Sequence, residues 1–232
     1  MHIHVITAFP KMFDGFLSES ILKRAIEKQS VKIHLHHIRD YATDKHQQID
    51  DYPYGGGPGM ILKPDPIFRC IESVFAQYDL PDKVTLLTPS GSRYDQQKAV
   101  EMSLRNALVL LCGHYKGIDQ RVIDELVDEE ISIGDYVITG GELAAMIIID
   151  SVVRLLPGVI GDIDSAVTDS FQTGLLDHPH YTRPETFRGK KVPSVLVSGN
   201  HGEIENWRQK KALEITKARR YDLYQKYCEN EE

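Results

Sequence analysis

Three groups of residues have the types and spacing to do chemistry. The first is Asp169, in Thr168-Asp169-Ser170-Phe171-Gln172-Thr173-Gly174. A carboxylate carried to a pocket by a movable segment can act as a general base. With Gln172 three residues on, Asp169 also has the outline of a helix capping box. The second is Arg154, the one basic residue between Glu130 and Thr182. A lone guanidinium on an apolar helix needs a partner or a task. The third is the stretch Ile131-Ser132-Ile133-Gly134-Asp135-Tyr136-Val137-Ile138-Thr139-Gly140-Gly141-Glu142. Its glycines remove side chains where a ligand approaches the backbone, and Tyr136, Val137 and Ile138 could offer backbone N–H and C=O groups to an adenine-like ring. A tight strand-to-helix connection would explain the same glycines.

These groups must be held by a scaffold, and hydrophobic periodicity supplies one. Strands are expected over residues 2–7, 31–38, 83–88, 107–112 and 130–133, and helices over 12–28, 63–78, 95–105 and 118–127. The alternation predicts an α/β fold, a parallel sheet with helices on both faces. Ligands in such sheets sit beyond the carboxyl ends of the strands. Those ends carry Thr88-Pro89-Ser90-Gly91, Cys112-Gly113-His114-Tyr115-Lys116-Gly117 and the Gly134 turn, three small-residue loops expected to line one pocket. The helix over 142–156 is apolar nearly all round and should be a buried wall of that pocket. After Leu156-Pro157-Gly158 the character changes. The expected organisation is a sheet domain over 1–160, a linker over 161–168 and a small, mainly helical domain over 169–232, with its clearest helix at 203–221.

Bulk properties narrow the function classes. The chain has 232 residues, 41% apolar and 26% charged, which suits one large domain plus a smaller one. No run approaches the roughly 20 apolar residues of a membrane span. The opening Met1-His2-Ile3-His4-Val5-Ile6-Thr7 reads as a strand rather than a secretory signal. Cys70, Cys112 and Cys228 are odd in number and widely spaced, which suits a reducing, cytoplasmic compartment and no disulfide framework. The net charge is −7, yet residues 181–221 hold ten Lys/Arg against four Asp/Glu, a balance of +6 that leaves −13 elsewhere. A basic module on an acidic body suits a phosphate-bearing partner, although a solvated helix face gives the same count.

Other motifs carry rival readings. Tyr54-Gly55-Gly56-Gly57-Pro58-Gly59-Met60 permits close backbone approach to a ligand, but matches neither G-x-G-x-x-G nor the P-loop pattern. The runs His34-x-His36-His37 and His178-Pro179-His180 lack a matching Cys or carboxylate pattern, so no metal site is expected, and His34 and His36 read as one face of a strand. Ser198-Gly199-Asn200-His201-Gly202 should cap the basic helix, and Trp207 should anchor the small domain's core.

The ordered motifs then match a family. They are Phe9-Pro10-x-Met12-Phe13, Tyr52-Pro53-Tyr54 with the glycine run to Met60, Cys112-Gly113-x-Tyr115-x-Gly117-Ile118-Asp119, Ser132-Ile133-Gly134-Asp135-Tyr136-Val137, Gly140-Gly141-Glu142-Leu143 and Asp150-Ser151-Val152. Asp169-Ser170-Phe171, Gly174-Leu175-Leu176-Asp177, His180-Tyr181-Thr182-Arg183-Pro184-Glu185 and Ser198-Gly199-Asn200-His201 complete the set. Over nearly its whole length the chain resembles the bacterial tRNA (guanine-N1)-methyltransferases, of the SPOUT class of knotted methyltransferases.

The resemblance implies a deep trefoil knot in the sheet domain, an exception to the rule against threaded connections. It implies S-adenosylmethionine bound by Leu87, Pro89, Gly113, Tyr115, Gly117, Ile133, Gly134, Asp135, Tyr136, Val137, Ile138, Gly140 and Gly141. It implies a homodimer with the active site across its interface, acting on tRNA at N1 of the guanosine immediately 3′ of the anticodon, preferentially after another guanosine. Asp169 matches the general base and Arg154 the residue that stabilises charge developing on guanine. Tyr54, Gly59, His180 and Arg183 are the candidates to hold the splayed anticodon loop. Lys116 stands where the family commonly has an acidic residue, which puts a magnesium (Mg2+) role in doubt, and His114 replaces a common Arg. A knotted ribose 2′-O-methyltransferase and a non-catalytic RNA-binding protein are the rival expectations.

Overall fold

A computed structural model describes residues 1–78, 83–160 and 169–231. The chain divides into two compact units, Met1–Gly161 and Asp162–Glu232. The expected linker, residues 161–168, lies outside the described residues.

The first unit is built on five parallel strands, β1 (His2–Thr7), β2 (Lys32–His37), β5 (Val84–Arg93), β6 (Ala107–Cys112) and β7 (Glu129–Ser132). Their order is β2-β1-β6-β5-β7. A separate two-stranded antiparallel ladder joins β3 (Asp50–Asp51) to β4 (Ile61–Leu62). Alternation along β6 sends Leu108, Leu110 and Cys112 to one apolar cluster and Val109 and Leu111 to the other. The first cluster includes Leu22 and Ala25 of α2 (Ser20–Glu27), Met102 of α4 (Gln96–Ser103) and most of α6 (Glu142–Val153). The second takes Ile67, Cys70 and Ile71 of α3 (Pro64–Tyr78) and Val122 of α5 (Gln120–Leu126). The sheet is therefore covered on both faces, as the βα rhythm predicts. Ile148, Ile149, Val152 and Val153 of α6 are fully buried. At about 1.5–3 kcal/mol per buried side chain, they fix that helix beneath the loop that precedes it.

Several boundaries differ from the periodicity reading. The stretch 12–28 is not one helix: a 3-10 turn at Pro10–Phe13 runs into α1 (Asp14–Leu17), and α2 starts afresh at Ser20. Ser18 Oγ donates to Gly15 O, and Ser20 has φ of 55°, so the serines end one helix before the next begins. Thr88-Pro89-Ser90-Gly91 is not a loop after a strand. It is an irregularity inside β5, whose pairing with β7 shifts between Leu87 and Ser92. Gly91 allows it, because a Cβ there would overlap the backbone of Glu130 and Ile131. Asp95 and Asp119 cap α4 and α5, their side chains accepting from Lys98 N and Arg121 N.

Within the second unit, α7 (His201–Arg219) is capped by Asn200, whose side chain accepts from Glu203 N. α8 (Tyr221–Glu231) and a small β8–β9 ladder (Thr186–Phe187, Lys190–Lys191) were not expected. Thr216 is buried on α7; its hydroxyl donates to Ala212 O and accepts from Leu176 N at 2.9 Å. Trp207 is half-buried, edge-on to His178 and tilted against Tyr181, with ring centroids 6.2 and 6.4 Å away. Asp169 does not cap a helix: residues 169–175 form bends and turns, with Gln172 N donating to Asp169 O.

Candidate active site

One cavity of about 440 Å³ opens at the carboxyl end of the sheet. Its volume lies within the roughly 300–1,000 Å³ usual for small-molecule sites. Leu87 and Pro89 of the β5 irregularity line it, as do Gly113, Tyr115 and Gly117 after β6. Ile133, Gly134, Tyr136, Val137, Ile138, Gly140 and Gly141 complete the wall before α6. The three segments expected around one pocket do meet there. Asp135 is exposed and does not line the cavity.

Main-chain hydrogen bonds tie these segments together. Gly141 N donates to Gly113 O at 2.7 Å, and Gly117 N donates to His114 O at 3.1 Å. Lys116 N donates to Met60 O, which joins the glycine-rich run of residues 55–59 to the pocket rim. Gly55, Gly56, Gly57 and Gly59 all have positive φ. The glycine pair is a steric requirement. A Cβ on Gly141 would lie 2.8 Å from Cys112 Cα, and one on Gly140 would overlap His114 Nδ1 and Glu142 Oε2. Removing those side chains leaves a backbone-lined cradle suited to a flat ring and a short polar chain. These features fit an adenine-bearing cofactor.

Beneath the cradle lies a group that sequence reasoning missed. Glu142 opens α6 and is 1% exposed. Thr7 Oγ1 donates to its Oε1 at 2.6 Å, and Thr7 Oγ1 itself accepts from Phe9 N. Its Oε2 lies 3.8 Å from Nδ1 of His114, which lines the cavity. A carboxylate in the first turn is favoured by the helix N-terminus. The available signal was an acid placed directly between a glycine pair and an apolar helix. Burial, with Glu142 nearby, holds the Cys112 thiol well above its usual range, so it packs rather than reacts. The Tyr115 phenol is also raised, by burial first and then by Asp50.

The remaining candidates sit as follows. Arg154 is half-buried and caps the C-terminus of α6. Asp169 is half-buried at the start of the described part of the second unit. His180 is exposed, with Nε2 2.8 Å from Asp177 Oδ2. Arg183 is exposed and precedes Pro184 through a cis peptide bond. Tyr54 is fully exposed, and Gly59 faces Lys116. Lys116 lines the cavity with an ammonium group, which cannot ligate a cation, so this position offers magnesium nothing.

Comparison with known proteins agrees with this architecture. The model of the family described as tRNA (guanine-1)-methyltransferase TrmD matches residues 1–226. A tRNA (guanine-N(1)-)-methyltransferase of Anoxybacillus flavithermus is 57% identical over 227 residues, covering 98% of this chain and 93% of its own. Its counterpart in Clostridioides difficile is 50% identical over 97% of this chain and 98% of its own, and one in Bacillus cereus is 55% identical over 96% and 91%. The chain belongs to the tRNA (guanine-1)-methyltransferase family.

Proposed function

We propose that this enzyme methylates N1 of the guanosine immediately 3′ of the anticodon in tRNA, with S-adenosylmethionine as the methyl donor. The observation that carries the reading is the backbone-lined cavity at the carboxyl end of the sheet, walled by Gly113, Gly140 and Gly141, in a chain of this family. Leu87, Pro89, Tyr115, Gly117, Ile133, Gly134, Tyr136, Val137 and Ile138 would hold the cofactor there, with Asp135 at the exposed edge of the same turn. When bound, that cofactor supplies an electrophilic methyl group.

Guanine N1 carries a proton and is a poor nucleophile until that proton leaves. Asp169 is the general base that accepts it, a role worth ~10²–10⁴-fold in rate. Arg154 stabilises the negative charge that spreads onto the guanine as the proton departs. His180, Arg183, Tyr54 and Gly59 hold the target nucleotide out of its stack. The exposure of Tyr54, His180 and Arg183 suits contact with a large ligand, and the ten basic residues of 181–221 suit its phosphates. In the same reading, residues 1–160 form the cofactor-binding domain with its chain threaded as a trefoil knot, and 169–232 form the tRNA-binding domain. Two copies share the active site. Leu143 and Ile147 on α6 and Val137 before it are exposed apolar side chains, which a second copy would cover. Among the described residues no helix is long and apolar enough to cross a membrane. The reaction is assigned to the cytoplasm.

Product identity tests the reaction. Unmodified tRNA treated with enzyme and methyl-labelled S-adenosylmethionine is digested to nucleosides. Label in 1-methylguanosine is expected. Label in a 2′-O-methylated nucleoside would overturn the base-methylation reading.

A further inference from the structure

Glu142 and His114 form a buried polar pair to which the proposed reaction gives no task. They meet because His114, after β6, bridges antiparallel to Gly140, just before α6. Glu142 is buried, yet among the described residues its Oε2 has no hydrogen-bond partner, and neither has the buried Nδ1 of His114. The two atoms face each other at 3.8 Å. That is too long for a hydrogen bond, and a small rotation of the ring would make one. A buried polar atom left unpaired is costly, and here one movement pairs two of them. From this geometry we propose that Glu142 holds His114 as the tautomer with its proton on Nδ1, so that His114 Nε2 accepts a hydrogen bond from the bound cofactor.

The direction of each hydrogen bond fixes the tautomer. Phe9 N donates to Thr7 Oγ1 at 2.9 Å, which engages the hydroxyl as an acceptor. The one proton of that hydroxyl goes to Glu142 Oε1, 2.6 Å away. An ionised carboxylate only accepts, so the His114 nitrogen that faces Oε2 is the one that carries a proton. In a neutral imidazole the hydrogen bond made by one nitrogen decides the role of the other. With the proton on Nδ1, Nε2 keeps its lone pair.

The surroundings hold the ring for that use. Phe9 lies tilted against it with ring centroids 4.5 Å apart, and Tyr115 meets it edge-on at 4.6 Å. Gly140 is required beside it, because a Cβ there would overlap both Nδ1 and Glu142 Oε2. His114 lines the cavity, and with Nδ1 buried toward Glu142, Nε2 is the nitrogen left for a ligand. Glu142 is then a positioning residue, and His114 is the group that touches the cofactor. These roles rest on S-adenosylmethionine occupying the cavity as proposed. That molecule carries an ammonium on its amino-acid half, and hydroxyls and an amino group on its adenosine half. All are hydrogen-bond donors that suit an imidazole lone pair.

Proton–nitrogen correlation spectra of the full chain, grown with nitrogen-15-labelled histidine, report which ring nitrogen carries the proton. A proton on Nδ1 of His114 alone is expected with S-adenosylhomocysteine bound. A proton on Nε2, alone or together with Nδ1, would overturn the assignment, and that result is read on the wild-type protein. Calorimetry then compares S-adenosylhomocysteine with 5′-methylthioadenosine, which lacks the amino-acid chain. His114→Asn keeps an amide near Glu142 and removes Nε2, so it should weaken S-adenosylhomocysteine binding about five- to tenfold. His114→Gln, with an amide near the place of Nε2, should recover part of the loss. A loss for both ligands puts the donor on the adenosine half, and a loss for S-adenosylhomocysteine alone puts it on the amino-acid half; either supports the assignment. Glu142→Gln can donate to Nδ1, so it should move the proton to Nε2 and raise KM for S-adenosylmethionine with KM for tRNA unchanged, its folding checked by circular dichroism. Unchanged affinity for both ligands in His114→Asn would overturn the role of His114 and leave the cofactor reading standing. Wild-type protein that bound neither ligand would remove the cofactor reading and this role with it.

Discussion

Asp169 and Glu142 mark the two ends of what a residue type reveals. Asp169 stands out because a carboxylate in a polar segment can take a proton, and its rival role as a helix cap disappears because no helix begins there. Replacing it with Asn keeps the shape and removes the base. Asp169→Asn should lower the single-turnover methylation rate ~10²–10⁴-fold and leave cofactor affinity unchanged, measured by rapid quench and calorimetry. A wild-type rate would remove Asp169 from the mechanism. Glu142 was hidden for a physical reason. An acid in the first turn of a helix is ordinarily solvated, and its burial here depends on Thr7, 135 positions away in sequence. Local pattern carries no trace of such a contact.

Elements were legible wherever their signal was periodic and local. The five parallel strands and α3 through α6 follow from hydrophobic alternation and caps, and the buried α6 follows from its all-round apolar sequence. The interrupted β5 was not legible, because Gly91 matters only once β7 lies against it. The stack of the His2, His4, His34 and His36 rings escaped for the same reason. Spacing alone puts His34 and His36 on one strand face, but their partners on β1 emerge only from the strand pairing. The turn into α6 is the element on which the cavity depends. Gly141→Ala forces a methyl group against the Cys112 backbone, a strain of about 1–3 kcal/mol. Cofactor affinity should fall about tenfold or more, about 1.4 kcal/mol, in a calorimetric titration. Unchanged affinity would mean that the turn is not part of the binding site.

A charge network links α4 to β7. Lys98 contacts Glu101 and Glu129, and Arg105 contacts the same two carboxylates. Lys98 first, and Arg105 second, hold the Glu101 carboxyl below its ordinary value of 4.5. A carboxylate depressed in the folded state adds stability above its unfolded value, and that stability is lost as pH falls through the folded value. Chemical denaturation should therefore show this contribution intact above about pH 4.5 and fading below it. Lys98→Met should flatten that part of the profile. The groups are exposed enough for added salt to shrink the effect.

At the scale of the whole molecule, composition is informative about partners and silent about assembly. The basic balance of residues 181–221 within an acidic chain suits a phosphate-bearing partner, and a solvated helix face gives the same count. The proposed knot and shared active site would arise from chain threading and from a second copy, neither of which leaves a local pattern. The exposed Ile147 on α6 tests the assembly. Ile147→Asp should shift the sedimenting species from dimer to monomer and reduce methyl transfer with it. A monomeric variant with full activity would separate the reaction from dimerisation.

The central claim is the target atom in its RNA context. Two tRNA transcripts that differ only in the nucleoside after the anticodon, guanosine in one and adenosine in the other, are offered with methyl-labelled S-adenosylmethionine. The account predicts label in the guanosine transcript alone, recovered as 1-methylguanosine. Equal label in both transcripts would contradict it and move the target elsewhere in the tRNA.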